Sequence, residues 1–278
     1  GPVVGGLRRE VSALLRRTGE PSFWDAPQAA REVLGRVYHL ERVLKRFDEL
    51  AERAEYLEEK GRQIRIRRDR RGIPELARDL DTLEAELAYV RMELAGAGAG
   101  SGHDQALLKI APLGRASDAW ADQLLAMYSA WAAHKGHEYT ILAPEGAGAR
   151  PRGTATLYVR GSNVYEFLRG EAGLHKLLSG PAEDRQRDLA RVTVLPAQGV
   201  PDDDPAELYG ALAQLALAGD TADDDGALAR IYTSSGRHRS VRDPRTGARV
   251  ADVGAVLQGG QIDAFLLASL RARAAEAA

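Results

Sequence analysis

The chain has 278 residues, 44% hydrophobic and 28% charged, with a formal net charge of -2; this is an ordinary globular composition, long enough for two cored domains. Near-neutrality excludes nucleic-acid binding spread over the whole surface, so any such contact must come from local basic patches. The absence of cysteine excludes disulfides and thiolate metal sites, and the apolar runs fall short of the roughly 20 residues a membrane helix needs. The expectation is a cytoplasmic protein with no membrane partner. Gly1-Pro2, without a preceding Met, reads as a protease scar and is set aside.

Phe23-Trp24-Asp25-Ala26-Pro27-Gln28 carries helix-start signals: Asp25 as cap, Pro27 in the first turn and Gln28 as capping-box partner. Val33, Val37, Leu40, Leu44, Phe47, Ala51 and Ala54 then form one apolar seam, and Ile73, Leu76, Leu80, Leu83, Leu87, Val90 and Leu94 form a second. Two such seams joined across Gly61 to Gly72 predict an antiparallel helical hairpin over 7–95. The joining turn carries Arg62, Arg65, Arg67, Arg68, Arg70 and Arg71 against a single acid, Asp69. That charge imbalance suits a phosphate backbone; the plainer reading is a solvated turn paired with neighbouring glutamates.

Residues 96–104, rich in Gly and Ala, read as a flexible linker; no Lys-Ser or Lys-Thr follows to make a phosphate loop. Ala106 to Ala111 predicts a strand. Ser117 is a natural N-cap for a helix whose Trp120, Leu124, Met127, Tyr128 and Trp131 share a face and which stops at Gly136. Thr154, Thr156 and Tyr158 alternate with Ala155, Leu157 and Val159 as a half-buried strand, and Arg191 to Leu195 as another. The interval 201–236 holds an alanine-leucine helix and acidic runs, too little for a separate core. Asp243-Pro244-Arg245-Thr246-Gly247 is a turn, and Ile262, Phe265, Leu266 and Leu270 predict a closing helix. The histidines, including His103, His134, His137 and His238, lack metal-ligand spacing, and Asp202 to Asp204 and Asp223 to Asp225 read as solvated loops. No catalytic residue, metal or cofactor is therefore assigned.

The wording of Phe23-Trp24-Asp25, of the Trp120 to Trp131 helix, of Glu171-Ala172-Gly173-Leu174-His175-Lys176 and of Asp243 to Gly247 resembles the bacterial class I peptide-chain release factors, most closely the type reading UGA and UAA. The resemblance implies an α+β chain: an antiparallel helical hairpin followed by an α/β domain like the codon-reading superdomain, built from 105–200 with 237–272. In that frame 201–236 is a short replacement for the hydrolytic domain. Ser179 to Asp188 stands where the family carries a Ser-Pro-Phe codon-reading loop, which is missing, and Ala111 to Gly114 replaces a glycine-rich turn. Gly259-Gly260-Gln261 spells the family's catalytic tripeptide, yet it precedes the closing helix and reads as a turn.

The resemblance and the charge together imply RNA contacts by the arginine tip and by His175, Lys176, Arg185, Arg187, Arg237 and Arg239. The partner would be the ribosome or another RNA (ribosomal, messenger or transfer), bound without peptidyl-tRNA hydrolysis. Two other readings stand beside it: a protein-interaction adaptor on the same scaffold that no longer binds RNA, and a hydrolase acting on stalled ribosomes.

Overall fold

The computed structural model describes residues 2–99, 104–114, 117–142, 154–181, 184–197, 200, 205–218, 226–236 and 239–276. His103, Arg237, His238, Asp202 to Asp204 and Asp223 to Asp225 lie outside them. The chain divides into two compact units, Gly1–Ser101 and Gly102–Ala278.

The first unit is helical. The expected hairpin is formed by α2 (Pro27–Arg67) and α3 (Ile73–Ala99), and an N-terminal helix α1 (Pro2–Thr18) joins it. Leu7 and Val11 of α1 pack with Val37, Leu40, Val43, Leu44, Leu50, Val90 and Leu94. The buried seam of α2 passes through Leu50 and Leu57, while Ala51 and Ala54 are exposed; a leucine removes more apolar area from water than an alanine, and the larger side chains set the phase. Asp25 is not the cap. It ends a short 3-10 turn, Pro21–Asp25, and Ala26 takes the N-cap position without a side-chain bond. Gly61 does not break α2, which continues to Arg67, and α3 continues to Ala99 through residues expected to be linker. Alanine-rich sequence costs a helix little, and single glycines cost only about 1 kcal/mol each.

The second unit is an eight-stranded sheet with helices on it, in the order β2-β3-β1-β5-β4-β6-β7-β8. The strands are β1 (Gln105–Pro112), β2 (Glu138–Leu142), β3 (Ala155–Arg160), β4 (Gly173–Ser179), β5 (Gln186–Pro196), β6 (Leu228–Thr233), β7 (Ser240–Arg242) and β8 (Arg249–Val250). Neighbours are antiparallel except β4 with β6, which run parallel. The helices are α4 (Asp118–His134), α5 (Val164–Leu168), α6 (Pro205–Ala218), α7 (Val253–Leu257) and α8 (Asp263–Glu276).

Trp120, Leu124, Met127, Tyr128 and Trp131 are all buried, as the spacing of α4 predicts. Ser117 stands at the N-cap but its hydroxyl caps nothing; it donates to Leu113 O (3.3 Å) and accepts from Leu189 N–H (3.2 Å), tying the helix entry to the sheet. β3 is more buried than a half-buried strand because β2 and β1 flank it and α6 covers Tyr158 through Leu208, Leu212 and Leu215. β5 starts at Gln186, inside the stretch read as a loop, with Ser179 paired to Gln186. The interval 201–236 is not set apart from the sheet: it supplies α6 and the interior strand β6, whose Ala229, Arg230 and Tyr232 are buried. The acidic sequence before Leu228 hides that strand's alternation.

Candidate nucleic-acid interface

The arginine tip lies on the first unit, where α2 ends. Arg68 is left-handed (φ 55°), the Asp69 N–H donates to Ile64 O (3.0 Å) and the Arg68 N–H to Arg65 O (3.3 Å). This is a Schellman end with arginine in the place usually held by glycine. Asp69, the tip's one acid, turns its carboxylate onto the Arg71 N–H (2.9 Å). The acids flanking the tip are also occupied. Lys60 bridges to Asp79 (2.8 Å) and Glu75 (3.0 Å) across the hairpin, and Arg62 meets Glu59 (3.1 Å) and Glu58 (3.4 Å). The bond to Asp79, then that to Glu75, lifts the Lys60 ammonium above its ordinary range, while Lys60 holds the Asp79 carboxyl below its own. Arg65, Arg67, Arg68, Arg70 and Arg71 are exposed, and no described carboxylate forms an ion pair with them. Pairing with neighbouring glutamates thus accounts for Arg62 alone.

The remaining candidates scatter over the second unit. Arg185 lies in the turn between β4 and β5, Arg187 lies on β5, and Arg239 precedes β7; all three are exposed. Lys176 is half-buried on the sheet face that bears Arg187. Arg237 lies outside the described residues.

His175 is a correction, because it is fully buried on the opposite face of β4 and cannot reach RNA in this fold. Its Nε2 lies 2.9 Å from the Glu171 carbonyl and its Nδ1 lies 3.2 Å from the Tyr232 hydroxyl. Burial, then the nearby Arg230 guanidinium, pushes its pKa down to about 3, so the ring is neutral, with Nε2–H donating and Nδ1 accepting. Around it stands a buried polar cluster. Arg230 pairs with Glu171, whose other oxygen accepts from the Tyr128 hydroxyl (3.0 Å), and its guanidinium lies 3.9 Å from the centre of the Phe265 ring. Asp243 accepts from Arg245 (3.0 Å), which also donates to the carbonyls of Gly170 (2.6 Å) and Ala172 (3.1 Å). Gly173 completes the motif: a Cβ there would stand 2.6 Å from Ala227 O. The Glu171 to Lys176 wording is therefore mostly the grammar of a core, a role that periodicity alone does not disclose because the partner strand β6 is remote in sequence.

Gly259-Gly260-Gln261 is likewise structural at its glycines. Gly260 has φ +63°, and a Cβ on it would fall 2.4 Å from Trp131 N on α4; one on Gly259 would fall 2.6 Å from Ala255 O. Gln261 is exposed and donates its N–H to Ala255 O (3.1 Å). Among the described residues no group of three or more His, Asp or Glu side chains is placed to hold a metal ion, and no helix is long and apolar enough to cross a membrane.

With this geometry in place, curated relatives and a family model point to one relationship. The chain is 30% identical over 200 residues to "Peptide chain release factor 2" of Chloroflexus aggregans, covering 69% of this chain and 54% of that protein. It is 31% identical over 213 residues to the protein of the same name from Thermomicrobium roseum, covering 72% and 54%. The chain thus spans about half the length of the curated relatives it matches. A solved structure, "RF2 of Thermus thermophilus", aligns with 97% of this chain and 96% of that chain at a TM-score of 0.49 and 20% identity. The PCRF domain matches residues 7–190, most of the 278, and the chain belongs to the PCRF domain family of release-factor homologues.

Proposed function

We propose that the chain is a release-factor-like protein that binds ribosomal or other RNA through its arginine tip and does not hydrolyse peptidyl-tRNA. One observation carries the reading: Arg65, Arg67, Arg68, Arg70 and Arg71 stand exposed at the end of a hairpin whose nearby acids are engaged by Lys60, Arg62 and backbone. Each phosphate neutralised by such a cation releases counterion, which gives affinity without sequence reading. The names of the relatives, peptide chain release factors, support the ribosome as the RNA source. The structural use of Gly259 and Gly260 supports a binding role over a hydrolytic one.

Sedimentation of the purified chain with ribosomes over a salt series tests the first half. Co-sedimentation at low salt, falling steeply with salt and weakened by Arg65→Glu with Arg70→Glu, is expected; no association at low salt overturns it and leaves the adaptor reading. Peptide release from a programmed ribosomal complex tests the second half. Release by the wild type that Gln261→Ala abolishes would overturn it.

A further inference from the structure

The sheet of the second unit has two faces. One carries the core with α4, His175 and Arg230; on the other, among the described residues, Leu208, Leu212 and Leu215 of α6 meet Leu107 of β1, Leu142 of β2, Tyr158 of β3 and Leu195 of β5. Away from α6, the strand register sets out that second face. Lys176 on β4 pairs with Ile231 on β6, Ile231 with Arg242 on β7, and Arg242 with Arg249 on β8. On the other flank, Arg187 and Arg191 on β5 pair with Leu178 and Leu174 of β4. Paired residues project to the same side, so these cations share one face with leucines and an isoleucine between them.

Their charges are unmatched. Arg187, Arg242 and Arg249 are exposed, Lys176 and Arg191 half-buried, and no described carboxylate forms an ion pair with any of them. Arg191 Nε is moreover buried without a hydrogen-bond partner, a cost a native structure seldom carries unless something else meets the group. The acid that register places on this face, Glu138 of β2, is held by Arg160. Strands stand about 4.8 Å apart, so the line from Lys176 to Arg249 runs about 15 Å. An extended, acid-free set of cations of that size is complementary to a polyanion with charges repeated every few ångströms.

From this we propose that the open half of the sheet, through Lys176, Arg187, Arg191, Arg242 and Arg249, is a second RNA-binding surface, one that grips the phosphate backbone of duplex RNA. It rests on the RNA-binding reading above and extends it from the hairpin tip to the other unit. Duplex rather than single-stranded RNA follows from what the face lacks: its outward aromatic side chain among these strands, Tyr158, is buried beneath α6. Single-strand binders stack successive bases on aromatic side chains, whereas a duplex offers phosphates and 2′-hydroxyls to a flat cationic surface.

The test measures binding of the full chain to a labelled RNA duplex of about 20 base pairs and to the single strand of the same length, over a salt series. Arg242→Glu with Arg249→Glu changes exposed side chains at the sheet edge, and a thermal melt verifies that the sheet is intact; Lys176→Gln with Arg187→Gln is the second variant should the first fail to fold. Each pair should weaken duplex binding about tenfold at low salt and lower the salt slope by about one unit for each phosphate that is no longer neutralised. Wild-type affinity and slope in a folded sheet variant, with the tip variant weakened, would overturn this surface and leave the tip standing. No binding of either RNA by the wild type would remove both. Tighter binding of the single strand, or equal displacement of duplex by polyglutamate, would also overturn it, the last result pointing to an acidic protein.

Discussion

Replacing Arg230 by Met measures the buried cluster directly. The guanidinium is wholly inside the second unit, bonded to Glu171 and lying 3.9 Å from the Phe265 ring centre, with Nε and Nη1 unpartnered. Methionine fills much of the same volume, so the chief loss is the Glu171 counter-charge, whose carboxylate keeps the Tyr128 hydroxyl at 3.0 Å. Stranding one member of a buried pair costs about 3 to 5 kcal/mol. Arg230 itself carries unpaired nitrogens and a desolvation cost, so removing both charges with Glu171→Gln and Arg230→Met should recover most of that loss. The assay is urea unfolding followed by tryptophan fluorescence: Trp120 and Trp131 are buried on α4 and report the sheet unit, while Trp24 is 61% exposed. A single-variant cost below about 1 kcal/mol, or a double variant whose cost is the sum of the singles, would refute the pairing as the cluster's organising interaction.

Three further outcomes follow from named positions. With His175 held neutral down to about pH 3 and the unfolded ring titrating near 6.5, the unfolded state binds the extra proton between these values; stability should therefore fall as pH drops through that window, by up to about 1.4 kcal/mol per unit. His175→Asn should flatten that dependence in urea midpoints taken from pH 7 to 4.5. Gly260→Ala forces a Cβ to 2.4 Å from Trp131 N at φ +63° and should cost about 3 kcal/mol or more by thermal melting, against about 0.5 or less for exposed Gln261→Ala. Arg68→Gly relieves a left-handed arginine (φ 55°) and should stabilise the hairpin by up to about 1 kcal/mol in helix melting while weakening RNA binding.

Where a side chain's own spacing dictates its burial, the sequence reads well. The α4 stripe, β1, the closing helix and most of the hairpin seams follow from periods of 3.6 and 2; Ile73 and Leu80 of the second seam, like Ala51 and Ala54 of the first, stay exposed. What escapes has a physical cause each time. Helix α2 runs through Gly61 because flanking helix formers outweigh one glycine, and α3 runs on to Ala99 for the same reason. Strand β6 follows an acidic run and pairs with β4, some fifty residues earlier in the chain, a long-range partnership that no local window contains. The place of His175 beside Lys176 suggests RNA for both, yet alternation along a strand sends neighbours to opposite faces; once β4 is seen as a strand, full burial of one and partial exposure of the other follow. The arginine tip is visible as composition, but the engagement of Glu75 and Asp79 by Lys60 needs coordinates.

Lys176 apart, the residues that make this chain resemble its family and the residues proposed to touch RNA are different sets, and the difference has a mechanical basis. Trp120, Tyr128, Glu171 and His175 are buried, and each is fixed by several partners at once: the Trp120 indole donates to His175 O (3.0 Å), Tyr128 to Glu171, and His175 meets Tyr232. Changing one strands a polar group in a low-dielectric interior. Such wording specifies the sheet and its α4 layer, and carries no information about what the outer surface meets. Arg65, Arg70, Arg242 and Arg249 are exposed and outside that cluster, so the same core could present them or acids at almost no cost in stability. A shared core therefore warrants the fold, and RNA binding has to be decided by the cations alone: reversing them should abolish binding and leave the unfolding of the sheet unit unchanged, whereas substituting the cluster should unfold the unit before any binding is lost.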